Sequence, residues 1–412
     1  MKNRDLDKQL VELSLAEHLF FAQEYEKALD LNLRIGDRLY DLYDFDSALQ
    51  FTERAEICAE KTKNKNKLAS SLYQKGYILQ SMFMISESLE SYNKCLEIVK
   101  DIGDRTVEAH TLHLIGMIYD DTNRFQEALE SYNQSLEIEK FIGDRSGEAM
   151  TLHQIGMVYQ HTNRFQEALE SYNQSLEIEK FIGDRSGEAQ TLHQIGMVYQ
   201  LTNRFPEALR SYNQSLEIEK VIGDRSGEAQ TLHQIGMVYQ DMNRVQEALR
   251  SYNQSLEIKK EIGDRSGEAH TLHQIGMVYQ LTNRFQKALG SYNQSLEIKK
   301  EIGDRSGEAR TLHQIGTIYQ DTNRIQEALE CYNQSLEIKK EIGDRSGEAR
   351  TLHLIGMVYQ LTNRFPEALR SYNQSLEIMK NIGDETGLKV NINAIKILEE
   401  EMQHNPHKLS KV

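Results

Sequence analysis

Tryptophan is absent from this 412-residue chain and proline occurs only three times. With so few rings that fix φ and remove an amide donor, long helices meet almost no covalent obstacle. Cysteine is also scarce: Cys58, Cys95 and Cys331 are an odd number without paired spacing. That excludes a disulfide scaffold and a zinc motif, and a reduced cytoplasm is the simplest expectation. No apolar run approaches the roughly 18 residues that would span a bilayer. The opening MKNRDLDKQL lacks the apolar centre of a signal peptide. Positive charge is in deficit, with a formal net charge of −15, which disfavours binding to nucleic acid or to an anionic membrane surface.

What the chain has instead is repetition. A forty-residue sentence, FIGDRSGEAQTLHQIGMVYQLTNRFPEALRSYNQSLEIEK in the copy at 181–220, is written seven times without insertion. The copies open at Asp101, Phe141, Phe181, Val221, Glu261, Glu301 and Glu341. A fixed period of this length marks a solenoid, in which each unit buries its apolar face only against its neighbours. Residues 1–20 read as a leading helix, and 21–100 as two divergent units in the same register. There Gly36, Phe45, Ala48 and Leu49 stand 80 residues before Gly116, Phe125, Ala128 and Leu129. The regular copies fill 101–380, a capping helix with a polar outer face is expected over 381–402, and 403–412 reads as a frayed tail.

Each unit is two helices. In 141–180, Ala149, Leu152, Ile155 and Tyr159 recur at spacings of three and four, as do Phe165, Ala168, Leu169, Tyr172 and Leu176. Asn163 suits a left-handed end to the first helix, and Pro206 and Pro366 fall in the first turn of the second. Gly183 closes the second helix, and Asp184 is placed to cap the next. Gly156 lies inside the first helix at a cost of about 1 kcal/mol, for which close approach to Ala168 is the expected compensation. The fold class is all-α.

Leu152, Ile155, Gly156, Tyr159, Ala168 and Tyr172 stand at the spacing of the tetratricopeptide repeat. The six extra residues and the Ile-Gly-Asp-Arg junction resemble the forty-residue form found in Pins-type adaptors, kinesin light chains and many bacterial proteins. The resemblance implies a right-handed α-solenoid superhelix of helix-turn-helix units. In that fold the first helices line a concave groove that takes a peptide segment or partner helix. Carried onto this chain, the groove comprises Met150, Gln190, Gln230, His270, Arg310 and Arg350 in one row. A second row holds His113, His153, His193, His233, His273, His313 and His353. Met157, Met197, Met237 and Met277 form a third, and Asp120, Gln160, Gln200 and Gln240 a fourth. His153 and Met157 occupy the places where chaperone-tail binders carry a Lys/Asn clamp, and Met157 the place where Pins-type adaptors carry Asn.

The recurring histidine invites a metal ladder, but packed helices sit ~8–10 Å apart, so equivalent residues of successive units lie roughly 16–20 Å from each other. Ligands of one zinc must lie about 2 Å from it. The expectation is therefore no metal and no cofactor, and a flat stripe of His, Met and Gln suited to a peptide, tuned by protonation near pH 6–7. Charge is uneven: 21–60 and 101–140 each sum to −6, whereas 181–380 sums to −2. A partner basic at one end and acidic or neutral at the other would find orientation there. No phosphate loop, HExxH or nucleophile elbow occurs, and polar candidates are copied seven times where a catalytic residue would be unique. A non-enzymatic scaffold binding a protein or peptide is the leading expectation. The alternatives are a peptide-responsive regulator resembling bacterial pheromone sensors, and a spacer that binds nothing in its groove. Near-identical neighbours leave both monomer and dimer open.

Overall fold

The computed structural model describes residues 2–404, with side chains from residue 11 onward. The tail from 405 and the side chains of Leu6 and Leu10 lie outside the described residues. Twenty α-helices and no strand occur among the described residues, so the chain is an all-α solenoid of helical hairpins. None of these helices is long and apolar enough to cross a membrane.

The chain divides into two compact units, 1–218 and 219–412. The first holds α1 (Lys2–Phe21), α2 (Tyr25–Asp41), α3 (Phe45–Thr62), α4 (Lys65–Ser81), α5 (Ile85–Ile102), α6 (Arg105–Asp121), α7 (Phe125–Ile142), α8 (Arg145–His161), α9 (Phe165–Ile182) and α10 (Arg185–Leu201). Helix α11 (Phe205–Ile222) runs through the boundary. The second unit continues with α12 (Arg225–Asp241), α13 (Val245–Glu261), α14 (Arg265–Leu281), α15 (Phe285–Glu301), α16 (Arg305–Asp321), α17 (Ile325–Glu341), α18 (Arg345–Leu361), α19 (Phe365–Ile382) and α20 (Glu385–His404). The basic run at 61–67 is a helix junction, with Lys63 left-handed and the Asn64 side chain accepting from the Lys67 amide.

Local chemistry sets these boundaries. Asn163 and Asn203 adopt φ of 57°, a left-handed conformation that asparagine tolerates better than most residues. The second helices end at Gly143 and Gly183, with φ of 76° and 75°, where a Cβ would be strained. Asp144 and Asp184 then cap the following helix, each Oδ1 accepting from an amide three residues on at 2.9 Å. Such caps contribute ~1 kcal/mol each.

Within a hairpin, the core is built round a tyrosine. Tyr132, Tyr172 and Tyr212 are fully buried, and each ring lies against the glycine of the first helix. A Cβ on Gly156 would sit 2.6 Å from Tyr172 Cε1. The glycine therefore makes room for Tyr172, not for the Ala168 contact expected from the sequence. Ser175 donates to the Ala149 carbonyl at 2.7 Å, tying the second helix to the first. At the end of the second unit, α20 packs Leu398 onto Phe365, Ala368 and Tyr372. Its outer face exposes Glu399 and Glu400 but also Val390, Ile392 and Ile397, so it is less polar than expected.

Candidate interaction groove

Three cavities are lined chiefly by first helices. In the first unit, α2, α4 and α6 bound a space of about 770 Å³ with Asp30, Arg34, Asp37, Gln74 and His110. A second, of about 410 Å³, is bounded by His110, His113, Glu139, Asp144 and Met150. In the second unit, α16 and α18 bound about 390 Å³ with Arg310, His313, Gln314, Lys339, Asp344 and Arg350.

The sequence-predicted residues fall into three groups. Met150, 54% exposed, and Gln190, Gln230, His270, Arg310 and Arg350, also exposed, form an open row. Met157, Met197, Met237 and Met277 are half-buried, and Met157, Met237 and Met277 pack on the hairpin cores. The glutamines are engaged from below: the Oε1 atoms of Gln160, Gln200 and Gln240 accept from Tyr172, Tyr212 and Tyr252 at 3.0–3.1 Å. Asp120 Oδ1 lies 3.2 Å from His161 Nδ1.

The recurring histidines do not form an open stripe. His113, His233 and His273 are buried, and His153, His193, His313 and His353 half-buried. Nδ1 of His113 and of His153 lies 2.8 Å from Oγ1 of Thr151 and Thr191 in the following repeat. His233 and His273 reach Thr271 and Thr311 at 3.1 Å, and His353 reaches Asn391 Oδ1 at 3.0 Å. The rings also pack on the core tyrosines, with centroids 5.3 Å apart for His153 and Tyr172. Burial pushes His113, His153 and His193 down to about 4. His313 is also held near 4, by burial and then the Lys339 and Arg350 charges. In His233 and His273, burial followed by Lys259 and Lys299 respectively brings the value to about 3. Burial thus holds these six below the pH 6–7 range expected for tuning, and His113, His153, His233 and His273 join one repeat to the next.

Sequence reasoning missed the floor of the groove. In the first unit, Glu139 and Glu179 are buried on the second helices, and Oε1 of each accepts from Thr151 or Thr191 at 2.9 Å. Their second carboxylate oxygens are buried without a partner. Burial holds both groups above the ordinary range, against the hydrogen bonds from threonine and serine. In the second unit Glu219 is followed by Lys259, Lys299 and Lys339, then Met379. Each lysine Nζ donates to the matching threonine at 2.8–2.9 Å. Burial lowers Lys259, and takes Lys299 and Lys339 down to about 8. A signal was available: the copies ending in SLEIEK give way to SLEIKK at 259.

No group of three side chains able to hold a metal ion occurs among the described residues. Stacked helical hairpins whose first helices line a groove of changing residues define a repeat protein of the interaction type. Its tetratricopeptide-repeat signature matches over 67–140, 147–220, 227–301 and 307–381, and the chain belongs to that family. No curated protein matches it. Among solved structures, a signal-transduction ATPase with a tetratricopeptide-repeat sensor from Pyrococcus horikoshii is similar at 16% identity and TM-score 0.62, over 88% of this chain and 54% of that one. The apo quorum sensor NprR from B. thuringiensis is similar at 17% and 0.56, over 83% and 99%. Aspartyl phosphate phosphatase F from Bacillus subtilis is similar at 10% and 0.55, over 80% and 93%. At these identities the likeness is one of fold.

Proposed function

We propose that the chain is a non-enzymatic scaffold that captures a peptide or an extended protein segment along the first helices of its repeats. The observation that carries this reading is the contrast within one helix face. The buried contacts are nearly constant apart from the Glu139-to-Lys339 position, whereas the exposed row runs Met150, Gln190, Gln230, His270, Arg310, Arg350. A varying exposed row along the first helices suits a non-uniform extended ligand, although the second-helix row through Glu170, Arg210 and Gly290 varies as well. Cys58, Cys95 and Cys331 are free thiols, which supports a reducing, cytoplasmic setting. The test is selection of displayed peptides on the full chain, followed by Met150→Arg and Gln190→Arg. Loss of the selected peptides with these variants, but not with Glu170→Arg on the opposite face, supports groove capture. Loss only with Glu170→Arg, or failure to select any peptide, overturns it.

A further inference from the structure

The cavity bounded by Arg310, Lys339 and Arg350 in the second unit and the one bounded by His110, Glu139 and Met150 in the first are the same place in the fold. They lie five repeats apart. His110 corresponds to Arg310, His113 to His313, Glu139 to Lys339, Asp144 to Asp344 and Met150 to Arg350. Their volumes agree, at about 410 and 390 Å³. Their charges do not. The first is lined by two carboxylates and no permanent cation, the second by three cations and one carboxylate.

Asp344 is the one acid among the lining residues of the second cavity, and its charge acts on Lys339. Among the described residues the ion pairs beside this cavity are made by Arg305 and Arg345 and not by Arg310 or Arg350, and Arg350 Nε donates to the Ser346 carbonyl at 3.4 Å. Lys339 is 8% exposed, and its Nζ is satisfied only by the Thr351 hydroxyl at 2.8 Å. That hydroxyl donates to the Gly347 carbonyl, and His313 Nδ1, which bonds the next threonine in other repeats, is left buried without a partner. Asp344, the single acid, spends Oδ1 on the Gly347 amide. Two exposed guanidiniums and a buried ammonium thus surround one open space.

We propose that this cavity is a carboxylate-binding site, and that the segment captured by the second unit is acidic there. The proposal rests on the reading of the groove as a peptide site and adds the chemistry of the ligand. Forked guanidinium donors from two successive first helices suit a planar carboxylate, which they can hold from both sides. Asp344 in the same wall opposes a dianion, so a monoanion fits better than a phosphate group. Buried beneath the guanidiniums, Lys339 carries a charge that water screens little.

The neighbouring repeats supply a variant that keeps the fold. Glutamine already stands at 190 and 230 where Arg310 and Arg350 stand, and glutamate at 139 and 179 where Lys339 stands. The test titrates the full chain and the triple variant Arg310→Gln, Lys339→Glu, Arg350→Gln with short fluorescein-labelled peptides, followed by anisotropy. One peptide carries glutamates and an amidated C-terminus, one is neutral with a free C-terminus, one is neutral and amidated, and one carries lysines. The expected result is that a carboxylate-bearing peptide binds the wild type on the order of ten-fold more tightly than the neutral amide, with the advantage lost in the variant and weakened by salt. Which of the two carboxylate peptides binds distinguishes side-chain from terminal recognition. Equal binding of acidic and neutral peptides, or an unchanged advantage in the variant, overturns the proposal. Preference for the lysine peptide also overturns it while leaving groove capture intact. Only failure to bind these peptides and any selected by display would remove both.

Discussion

Replacing Lys299 or Lys339 by methionine should stabilise the second unit. Each Nζ is buried with a single neutral partner, Thr311 or Thr351, and each lysine is held near 8 against an ordinary 10.5. Between those values the unfolded chain binds a proton that the folded chain does not. Stability therefore rises with pH through about 8 to 10.5, and below that window each lysine opposes folding by roughly 3 kcal/mol. Removing the ammonium relieves this cost and forfeits one hydrogen bond of ~1 kcal/mol, for a net gain of about 2 kcal/mol near pH 7. Methionine is the natural choice because Met379 fills the same place one repeat later and is itself buried. Since each repeat contacts only its neighbours, the effect is local. Amide hydrogen exchange in α15 to α18, corrected for intrinsic rate, reads it directly. Protection in the wild type should increase as pH rises past 8, and the variants should start higher and lose that slope. Lower protection in Lys299→Met, or wild-type protection that falls with rising pH, would refute the argument from desolvation.

Gly196→Ala should destabilise the first unit by ~1–2 kcal/mol in urea denaturation, because the new Cβ meets Tyr212 Cδ1 and Cε1 at 2.7 Å and overpacking outweighs the gain in helix propensity. Gly290→Ala, with nothing within 4 Å of its Cβ, should instead stabilise by up to ~1 kcal/mol. Asp184→Ala removes the cap on the Gly187 amide and should cost ~1 kcal/mol, visible as faster exchange in the first turn of α10. On the acid side, His113 and His153 stay neutral in the fold down to about 4, while the unfolded chain protonates near 6.5. Protection of α6 and α8 should therefore decline as pH falls through that window, and His153→Gln should flatten the decline around α8.

Helix number, phase and punctuation were legible because they depend on contacts within one unit. Asn163, Gly183 and Asp184 act on their own backbone or on an amide three residues away, so the sequence carries the whole signal. The histidines were not legible for the opposite reason. His153 faces the groove on its own helix, and what covers it is Thr191, 38 residues on, outside any helical period. Tyr172 was read as core, yet its fit to Gly156 spans two helices and depends on ring orientation. Glu139 and Lys339 were hidden differently: a charged residue in an SLEIEK or SLEIKK run reads as a solvated face. Only the stacking of the next first helix reveals that it is enclosed.

That enclosed position separates what folding requires from what the groove adds. Three side chains solve the same packing problem there. Glutamate accepts from the threonine of the next repeat, lysine donates to it, and Met379 lies 2.9 Å from Asn391 Nδ2 through its sulfur. Since methionine suffices in a buried setting, no charge is needed to join one repeat to the next. A buried ion held by one neutral hydroxyl is a net cost, because the desolvation it suffers exceeds what a single hydrogen bond returns. In the second unit that cost is incurred at 259, 299 and 339; at the last of these burial is the main cause, Asp344 offsets part of it, and Arg350 and Arg310 add to it by repulsion. Like charges gathered against their mutual repulsion, with Asp344 the one acid among the residues lining that cavity, would be stabilised by the anion proposed above. On this argument a bound carboxylate should return Lys339 toward its ordinary value. The rise in protection between pH 8 and 10.5 should then vanish around α17 in the presence of the acidic peptide and persist around α15.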